Sequence, residues 1–422
     1  MNVRALLAEH GSPLWLADAD RVRERLRRFR AAWRAEWPDT EVAYSYKSNR
    51  LLAFLCVLNE EGARPEVVCE AEYRLAREIV GAFGNEIVVN GPAKPASLLC
   101  RAAADGALVL VDSRAELERA AAAGVGRVGL RVAVNGHTER PTRFGIAAAE
   151  IGDAAAQAAT LGLEVEALSC HVVSTDFDSS SGDGGVAVTW PRPPDRHVDA
   201  ARLLARLARA LGEHGFDIDA LDLGGGFPAP PAVAEHARTV AAAMRDEGYA
   251  ARLVLEPGRA IVHDAVELVC TVVAEKALED GTRCVIVDAG TNLVPGAAAT
   301  PLPIVAVDRY GPERAALITG PLCLNVDVLH RRAELPALEP GDPLIVREVG
   351  AYAQSASTQF GEPRPATVVR RDGRLVLAQR RERLEDLVRA ERLPPPLEGN
   401  GKPGYLESKM AARGARATEE QV

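Results

Sequence analysis

The chain of 422 residues is poor in aromatic side chains, which make up 5% of it, and has no excess of basic residues. Its 50 lysines and arginines are outnumbered by 59 aspartates and glutamates, which gives a formal net charge of -9. A nucleic-acid-binding surface needs basic residues to neutralise phosphates, so we predict no nucleic-acid partner. No apolar run is long enough to cross a bilayer, so we predict no membrane partner.

The seven cysteines form no CxxC pair, and their number is odd. Most of them lie in apolar runs, which favours reduced thiols in a cytoplasm over a disulfide framework. Residues 1–10 contain no sustained apolar segment, so we predict no secretory signal. The sequence therefore predicts a cytoplasmic protein without a metal site, and its length allows two domains.

Strand-like and helix-like segments alternate regularly from about residue 38 onwards. The predicted strands are Val42–Lys47, Glu66–Cys69, Glu86–Asn90, Ala107–Val111, Arg127–Val134, Val165–Val172, Ile218–Leu223 and Arg252–Glu256. Helical patterns between them include Ala71–Val80, Ser113–Ala123, Ala200–Glu213 and Val233–Glu247. Eight such units predict an α/β fold of the (β/α)8 TIM-barrel type, and a doubly wound open sheet is the alternative.

Other segments predict further regions on either side of a barrel at residues 25–265. Residues 1–24 are predicted as a lead-in that joins a C-terminal domain. Residues 1–20 of this lead-in are predicted to be extended, with a helix cap at Asp18–Asp20. That domain, residues 266–392, is predicted as mostly β. Its predicted strands are Glu267–Ala274, Arg283–Asp288, Ile304–Val307, Leu344–Val349 and Ala366–Val376. Residues 393–422 are predicted as a flexible tail.

A polar insertion at residues 174–195 interrupts the alternation after the sixth predicted strand. Loops at the carboxyl end of a barrel strand lie on the catalytic face, so one interpretation is a cover over a site. The other interpretation is a disordered insertion.

Lys47 stands at the end of the first predicted strand, immediately before Ser48 and Asn49. Partial removal of a lysine amine from water lowers its pKa, and such an amine forms covalent links with carbonyl cofactors. The alternative is a lysine that only ends an edge strand.

Three other strand ends place polar groups at the same predicted mouth. Backbone N–H groups of Gly224–Gly226, the hydroxyl of Ser174 and the guanidinium of Arg259 predict a phosphate cradle. Glu256 is suited to hold a pyridine nitrogen protonated, which makes such a ring an electron sink. His171 either lies flat against that ring or is an ordinary core histidine. A lysine, a phosphate cradle and a carboxylate together predict pyridoxal 5'-phosphate (PLP).

The order of these motifs resembles that of the fold-type III PLP decarboxylases, which include diaminopimelate, ornithine and arginine decarboxylases. The resembling segments are Tyr46–Asn49, Cys170–Ser174, Asp222–Gly226, Glu256–Arg259, Gly320–Cys323 with Asp327, Gly350–Tyr352 and Arg380–Asp386. The resemblance implies a PLP-dependent carboxy-lyase that acts on a small-molecule amino acid. It also implies a homodimer whose active sites are shared between subunits.

The resemblance also implies a role for each matching residue. The implied catalytic residues are Lys47, His171 and Cys323, with Cys323 as the acid that reprotonates the substrate carbon. The implied cofactor-binding residues are Lys47, His171, Ser174, Gly225, Gly226, Glu256, Gly258, Arg259 and Tyr352. The implied substrate-binding positions are Asp327 and Leu324. A structural cysteine is the alternative for Cys323.

Four departures from the family pattern bear on function. Val173 fills a position that is glycine in the family, and Glu66 stands where aspartate is usual. Leu324 replaces the acid that pairs with a distal amine of the substrate. Gly296 and Thr300 occupy the places of an Arg and a Tyr that help diaminopimelate decarboxylases to recognise substrate.

The last two departures remove the groups that recognise a charged distal end. We therefore predict decarboxylation of an α-amino acid without a free distal amine. Such a substrate is acylated, conjugated or carrier-bound, as in siderophore or antibiotic biosynthesis. The alternatives are a diaminopimelate decarboxylase of lysine biosynthesis, an amino-acid racemase and a non-catalytic decarboxylase homologue. The Gly-Pro-x-Cys segment argues against the racemase, and intact Lys47 and Glu256 argue against the non-catalytic homologue.

Overall fold

The computed structural model describes residues 2–134, 142–172, 175–177, 186–188, 193–298 and 301–392. The chain divides into two compact units, Met1–Arg381 and Glu382–Val422. In the second unit, the described residues include one short helix at Leu384–Val388. The first unit contains the barrel and the large sheet that are described below.

The N-terminal elements are helix α1 (Val3–His10), strand β1 (Leu14–Asp18) and helix α2 (Ala19–Glu36). Asn2 caps α1 with its side chain, and Val3, Leu6 and Leu7 pack into one apolar cluster. The prediction of an extended lead-in is therefore wrong for α1, because these three residues repeat at a helical period. Asp18 caps α2, as the sequence predicted.

Ten strands follow β1 up to residue 255. They are β2 (Thr40–Ser45), β3 (Arg64–Val67), β4 (Val88–Val89), β5 (Leu108–Val111), β6 (Arg127–Arg131), β7 (Glu164–Ser169), β8 (Thr175–Phe177), β9 (Val186–Val188), β10 (Ala220–Asp222) and β11 (Arg252–Leu255). All except β8 and β9 form a closed parallel barrel in the order β10-β11-β2-β3-β4-β5-β6-β7. The predicted (β/α)8 barrel is confirmed, and every predicted barrel strand is present.

Helices cover the outside of the barrel. They are α3 (Leu52–Glu60), α4 (Glu70–Arg74), α5 (Ala96–Asp105), α6 (Arg114–Ala122), α7 (Ile151–Thr160), α8 (Pro194–Glu213), α9 (Val233–Asp246) and α10 (Arg259–Val262). A π-helical segment, Leu75–Val80, continues α4. Alanines of three strands, Ala43, Ala167 and Ala220, lie in the apolar cluster that fills the barrel interior. Parallel strands buried on both faces read as continuous apolar runs, which is why the sequence located them.

The predicted insertion at residues 174–195 contains an antiparallel hairpin of β8 and β9, and α8 begins at Pro194. Most of its other residues lie outside the described part of the chain. Its role as a cover over a site stays a prediction.

Eight further strands follow the barrel. They are β12 (Val266–Ala277), β13 (Arg283–Val287), β14 (Ile304–Ala306), β15 (Arg314–Thr319), β16 (Val328–Leu335), β17 (Pro343–Val346), β18 (Ala366–Arg371) and β19 (Arg374–Gln379). Together with β1 they build a nine-stranded sheet. Seven of its strands follow the order β16-β15-β13-β12-β1-β18-β19, and the other two branch from β12, with β17 paired to β12 and β14 paired to β17. The mostly β character predicted here is confirmed.

Strands β15 and β16 were not predicted, and β18 and β19 were predicted as one strand. The break lies at Asp372 and Gly373, whose φ angles are 50° and 73°. Positive φ at both central residues is typical of a tight hairpin turn, and Asp-Gly is its usual sequence. In the described part of the chain, no helix is both long enough and apolar enough to cross a membrane.

Candidate active site

Lys47 lies in a 3-10 turn, Tyr46–Ser48, that directly follows the buried strand β2. The turn is held from the other side by a loop of the large sheet. Ser355 donates its hydroxyl to the backbone carbonyls of Lys47 and Ser48, both at 3.2 Å. Asn49 donates its amide to the carbonyl of Gly350 at 2.9 Å. The backbone of the lysine turn is therefore fixed between barrel and sheet.

The ammonium of Lys47 contacts a fully buried carboxylate. Its Nζ donates to Oε2 of Glu66 at 2.8 Å, and the hydroxyl of Ser45 donates to the same oxygen at 2.6 Å. Burial alone would lower the pKa of Lys47, but the negative charges of Glu66 and Glu256 raise it above its ordinary value. The expected lowering of this pKa is therefore wrong. Lys47 is a cation here, and Glu66 is the base that contacts its proton.

Glu256 follows β11, and Asp222 ends the neighbouring strand β10. Burial raises the pKa of Asp222 to about 7. Burial, and then the charge of Asp222, raise the pKa of Glu256 well above its usual range. A hydrogen bond joins the two carboxyl groups, so they share a proton. Asn90 also contacts Glu256, with its amide nitrogen 3.1 Å and 3.3 Å from the two carboxylate oxygens.

His171 lies just beyond β7, and its ring faces the glycine loop. Nδ1 of His171 accepts the backbone N–H of Gly225 at 3.1 Å, so Nδ1 carries no proton. Burial, with the neighbouring cation of Lys47, lowers the pKa of His171 to about 3. His171 is therefore a neutral imidazole whose proton is on Nε2.

The glycines at the ends of β10 and β11 are packed too closely for any side chain. A Cβ atom on Gly225 would lie 2.8 Å from the carbonyl oxygen of Glu256. A Cβ atom on Gly258 would lie 1.8 Å from the hydroxyl oxygen of Ser48. Gly226 has φ of 94°, a conformation that favours glycine. Bare backbone therefore lines this part of the site.

Arg259 and Tyr352 close the same region. The guanidinium carbon of Arg259 lies 5.2 Å from the centroid of the Tyr352 ring. Ser48 donates its hydroxyl to the Tyr352 hydroxyl at 3.2 Å, and the backbone N–H of Tyr352 donates to the Ser48 carbonyl at 2.8 Å. A cavity of about 50 Å³ results. Its lining residues are Ser45, Lys47, His171, Gly225, Gly226, Phe227, Glu256, Pro257, Gly258, Arg259, Ala260 and Tyr352.

Two buried histidines lie behind the glycine loop. Nε2 of His197 lies 3.0 Å from the carbonyl oxygen of Gly225, and Nδ1 of His197 lies 3.1 Å from Nε2 of His236. A carbonyl only accepts, so His197 donates to Gly225 and in turn accepts from His236. Burial lowers the pKa of His236 to about 4, which keeps this donor neutral near pH 7. No local sequence pattern indicates this pair of histidines, because the two residues lie on separate helices.

A second cavity of about 330 Å³ shares Lys47, His171 and Glu256 with the first. Its far wall contains Phe144, and the guanidinium carbons of Arg131 and Arg143 lie 4.7 Å and 4.5 Å from the centroid of that ring. The first cavity thus offers an anion cradle, and the second offers a larger space on the other side of Lys47. No sequence motif indicated the residues of this wall.

Cys323 and Leu324 lie in a loop between β15 and β16. Cys323 is exposed with φ of 53°, and its Sγ is 3.9 Å from the carbonyl oxygen of Pro321. Leu324 is 46% exposed. Neither is among the described residues that line the two cavities. A single chain therefore does not bring Cys323 and Lys47 into one cavity.

Asp327 stabilises the loop that carries Cys323. Its carboxylate is 2% exposed and accepts the backbone N–H groups of Thr291 and Leu322, at 2.7 Å and 2.9 Å. It also accepts the hydroxyl of Thr291 at 3.0 Å. These contacts give Asp327 a structural role, and its contact with substrate stays a prediction.

Three predicted positions cannot be placed. Ser174, Val173 and Thr300 lie outside the described residues. Gly296 lies in a short 3-10 turn, Pro295–Ala298.

The chemistry of these groups fits PLP. The cavity combines a lysine, a carboxylate at the end of the neighbouring strand, and a cradle of bare backbone beside an arginine. In addition, Oε1 of Glu66 is buried beside Lys47 without a hydrogen-bond partner among the described residues. A barrel that carries this set of groups at the ends of its strands is typical of the PLP enzymes that have a barrel fold.

Comparisons with known proteins give the family. Residues 20–263 match the family described as pyridoxal-dependent decarboxylase, pyridoxal binding domain, and the chain belongs to this family. It is therefore a PLP-dependent amino-acid decarboxylase. The cofactor and the enzyme class predicted from the sequence are confirmed.

Relatives cover nearly the whole chain. Diaminopimelate decarboxylase of Methanothermobacter thermautotrophicus is 29% identical, with 93% of this chain and 94% of the relative aligned. The crystal structure of diaminopimelate decarboxylase from Helicobacter pylori complexed with L-lysine has a TM-score of 0.81 at 25% identity, covering 92% of this chain and 99% of the other. Lysine decarboxylase from Selenomonas ruminantium has a TM-score of 0.74 at 25% identity, covering 88% and 95%.

Proposed function

We propose that the chain decarboxylates an α-amino acid that has no free amine at its distal end. The observation that carries this proposal is Leu324, a partly exposed apolar side chain next to Cys323, where an ammonium group would find no partner. A buried polar recognition group discriminates strongly between substrates, so its absence changes which substrate is accepted. An acylated, conjugated or carrier-bound amino acid satisfies this condition.

The residues of the barrel supply the binding and the orientation of the cofactor. Lys47 would hold PLP through its aldehyde, and Glu66, which contacts Nζ of Lys47 at 2.8 Å, would accept the proton from this amine. The N–H group of Gly226 and the guanidinium of Arg259 would hold the phosphate, beside the bare backbone of Gly225, whose own N–H donates to His171. When bound, PLP supplies an electron sink for the bond between Cα and the carboxylate.

Three more residues complete the proposed chemistry. Glu256 would pair with the ring nitrogen and keep it protonated, and the neutral ring of His171 would lie against the cofactor. Cys323 would be the acid that returns a proton to Cα. Gly258 allows close packing beside the phosphate, and Tyr352 closes that end of the cavity. Ser174 remains a proposed phosphate ligand.

We propose a homodimer in which Cys323 and Leu324 reach the cavities of the partner subunit. The support is their position outside the cavities of their own chain, together with exposed apolar side chains near the same loop. Val326 and Phe360 are 72% and 54% exposed. Exposed apolar side chains of this kind favour an interface with a second copy of the chain.

A mixture of two inactive variants tests the shared site. Lys47→Ala and Cys323→Ala each damage a different half of every site, so each alone is expected to be nearly inactive. After unfolding and refolding together in equal amounts, about a quarter of all sites combine two intact halves in a two-fold dimer. The measurement is CO2 release by the mixture. Recovery of no activity, with dimers present, contradicts a shared site.

Steady-state assays test the substrate class. We expect CO2 release from Nω-acylated or conjugated diamino acids and very slow release from free diaminopimelate, lysine, ornithine and arginine. The names of the relatives favour a second candidate, diaminopimelate decarboxylase itself. Efficient turnover of free diaminopimelate would replace the first proposal with the second. Failure to bind PLP would instead support a non-catalytic homologue.

A further inference from the structure

We propose that Asn90 is a positioning residue that sets the orientation and the charge of Glu256. This inference rests on the proposed pairing of Glu256 with the cofactor ring nitrogen. It concerns a residue that no motif of the sequence analysis included.

Asn90 follows the short strand β4 and is buried. Its Oδ1 accepts the backbone N–H of Gly91 at 2.8 Å. Only the oxygen of a carboxamide can accept from an N–H, so this bond decides which way the amide group faces. The NH2 group must therefore face Glu256, where its nitrogen lies 3.1 Å and 3.3 Å from the carboxylate oxygens.

A buried ion pair fixes the turn that carries Asn90. Nζ of Lys94 donates to the carbonyl of Gly91 at 2.6 Å and to Oε2 of Glu116 at 3.0 Å. The same oxygen of Glu116 accepts the backbone N–H of Asp112 at 2.8 Å. The side chains of Lys94 and Glu116 are 0% and 1% exposed. Removing two charges from water is costly, and such a pair gives one defined conformation in return.

The protonation state of Glu256 depends on whether its neighbours donate hydrogen bonds to it or accept them from it. Asn90 donates to the carboxylate and offers it no acceptor, so it favours the ionised form of Glu256. Asp222, on the other side, shares a proton with Glu256. Burial and Asp222 raise the pKa of Glu256, and donation from Asn90 opposes that rise because it stabilises the negative charge on Glu256. An ionised and oriented Glu256 is what holds a proton on a pyridine nitrogen.

The test measures protonation of the ring nitrogen directly. PLP labelled with ¹⁵N in the ring is bound to the native protein and to Asn90→Ala, and the ¹⁵N chemical shift is followed with pH. We expect the pKa of the bound ring nitrogen to fall by at least about one unit in Asn90→Ala, a tenfold change in the protonation equilibrium. Asn90→Ser, which keeps one donor, should lie between the two.

Tyr73→Phe is the matched control. It removes a partly buried hydrogen bond, from the Tyr73 hydroxyl to Asp105 at 2.6 Å, at a place away from both cavities. We expect a native ¹⁵N titration from this variant. A native titration from folded Asn90→Ala and Asn90→Ser overturns the inference.

Two observations separate this failure from failure of the proposed site. If the native protein binds no PLP, the cofactor assignment fails before any variant is compared. If Glu256→Gln leaves the ring nitrogen as protonated as in the native protein, the pairing of Glu256 fails. A native protein that binds PLP and responds to Glu256→Gln but not to Asn90→Ala refutes the role of Asn90 alone.

Discussion

Lys47→Arg is expected to lower kcat by at least about 10³-fold and to abolish the reducible covalent link to PLP. Arginine keeps the positive charge that pairs with Glu66, so the fold and the buried carboxylate should tolerate the change. A guanidinium is never deprotonated in proteins, however, and cannot become the nucleophile that an aldehyde needs. The measurement is CO2 release together with visible spectra before and after borohydride.

The control for this experiment is Lys276→Arg, which changes an exposed lysine of β12. It should keep native activity and a native spectrum. Peptide mapping after borohydride should find the cofactor on Lys47 in both the native protein and this control. A cofactor attached to another lysine, or a Lys47→Arg variant within tenfold of native activity, contradicts the assignment of Lys47.

The barrel could be predicted from the sequence because its strands are buried on both faces. Strand β5, for instance, is the apolar run Leu108–Val111 with every residue buried. Strands β15 and β16 were missed because they are only half-buried and carry charged residues such as Arg314 and Arg331. In β16 the apolar residues are interrupted by polar ones, whereas β15 contains an apolar run at residues 315–318, half of which is alanine, a residue depleted in strands.

The candidate site could be predicted where its residues stand at strand ends in recognisable motifs. Lys47, His171 and Glu256 were found in this way, and the structure places all three around the same two cavities. The pKa of Lys47 could not be predicted, because its direction depends on a contact with Glu66 from another strand. The contact between Asn90 and Glu256 could not be predicted either, because it crosses the barrel and no local sequence pattern indicates it.

The large sheet also contributes to the cofactor site, which a barrel alone would not explain. The loop from Gly350 to Ser355 holds the backbone of the lysine turn, and Tyr352 from the same loop lines the first cavity. Tyr352 has φ of 61°, an uncommon conformation for a residue other than glycine. Barrel and sheet therefore form one site within the first unit, and neither alone would position Lys47.

Leu324→Asp is expected to raise kcat/KM for amino acids with a free distal amine, such as diaminopimelate and lysine, by about 10²-fold or more. A carboxylate at this position offers the ammonium group the partner that leucine lacks, and recognition by a buried polar group discriminates by up to about 10⁴–10⁵-fold. The same change should lower kcat/KM for an acylated substrate, because the new carboxylate is left unpaired beside it. The measurement is steady-state CO2 release from each free diamino acid and from its Nω-acetyl derivative.

Ile79→Asp is the control, since it adds the same charge at an exposed apolar side chain that lies outside both cavities and outside the loop of Cys323. It should leave the ratio of the two kcat/KM values unchanged, whereas Leu324→Asp should reverse the preference. If native protein already prefers the free amine and Leu324→Asp does not increase that preference, Leu324 does not set specificity. The absence of an acid after Cys323 would then say nothing about the substrate, and recognition of the distal end would have to come from the barrel side of the cavity.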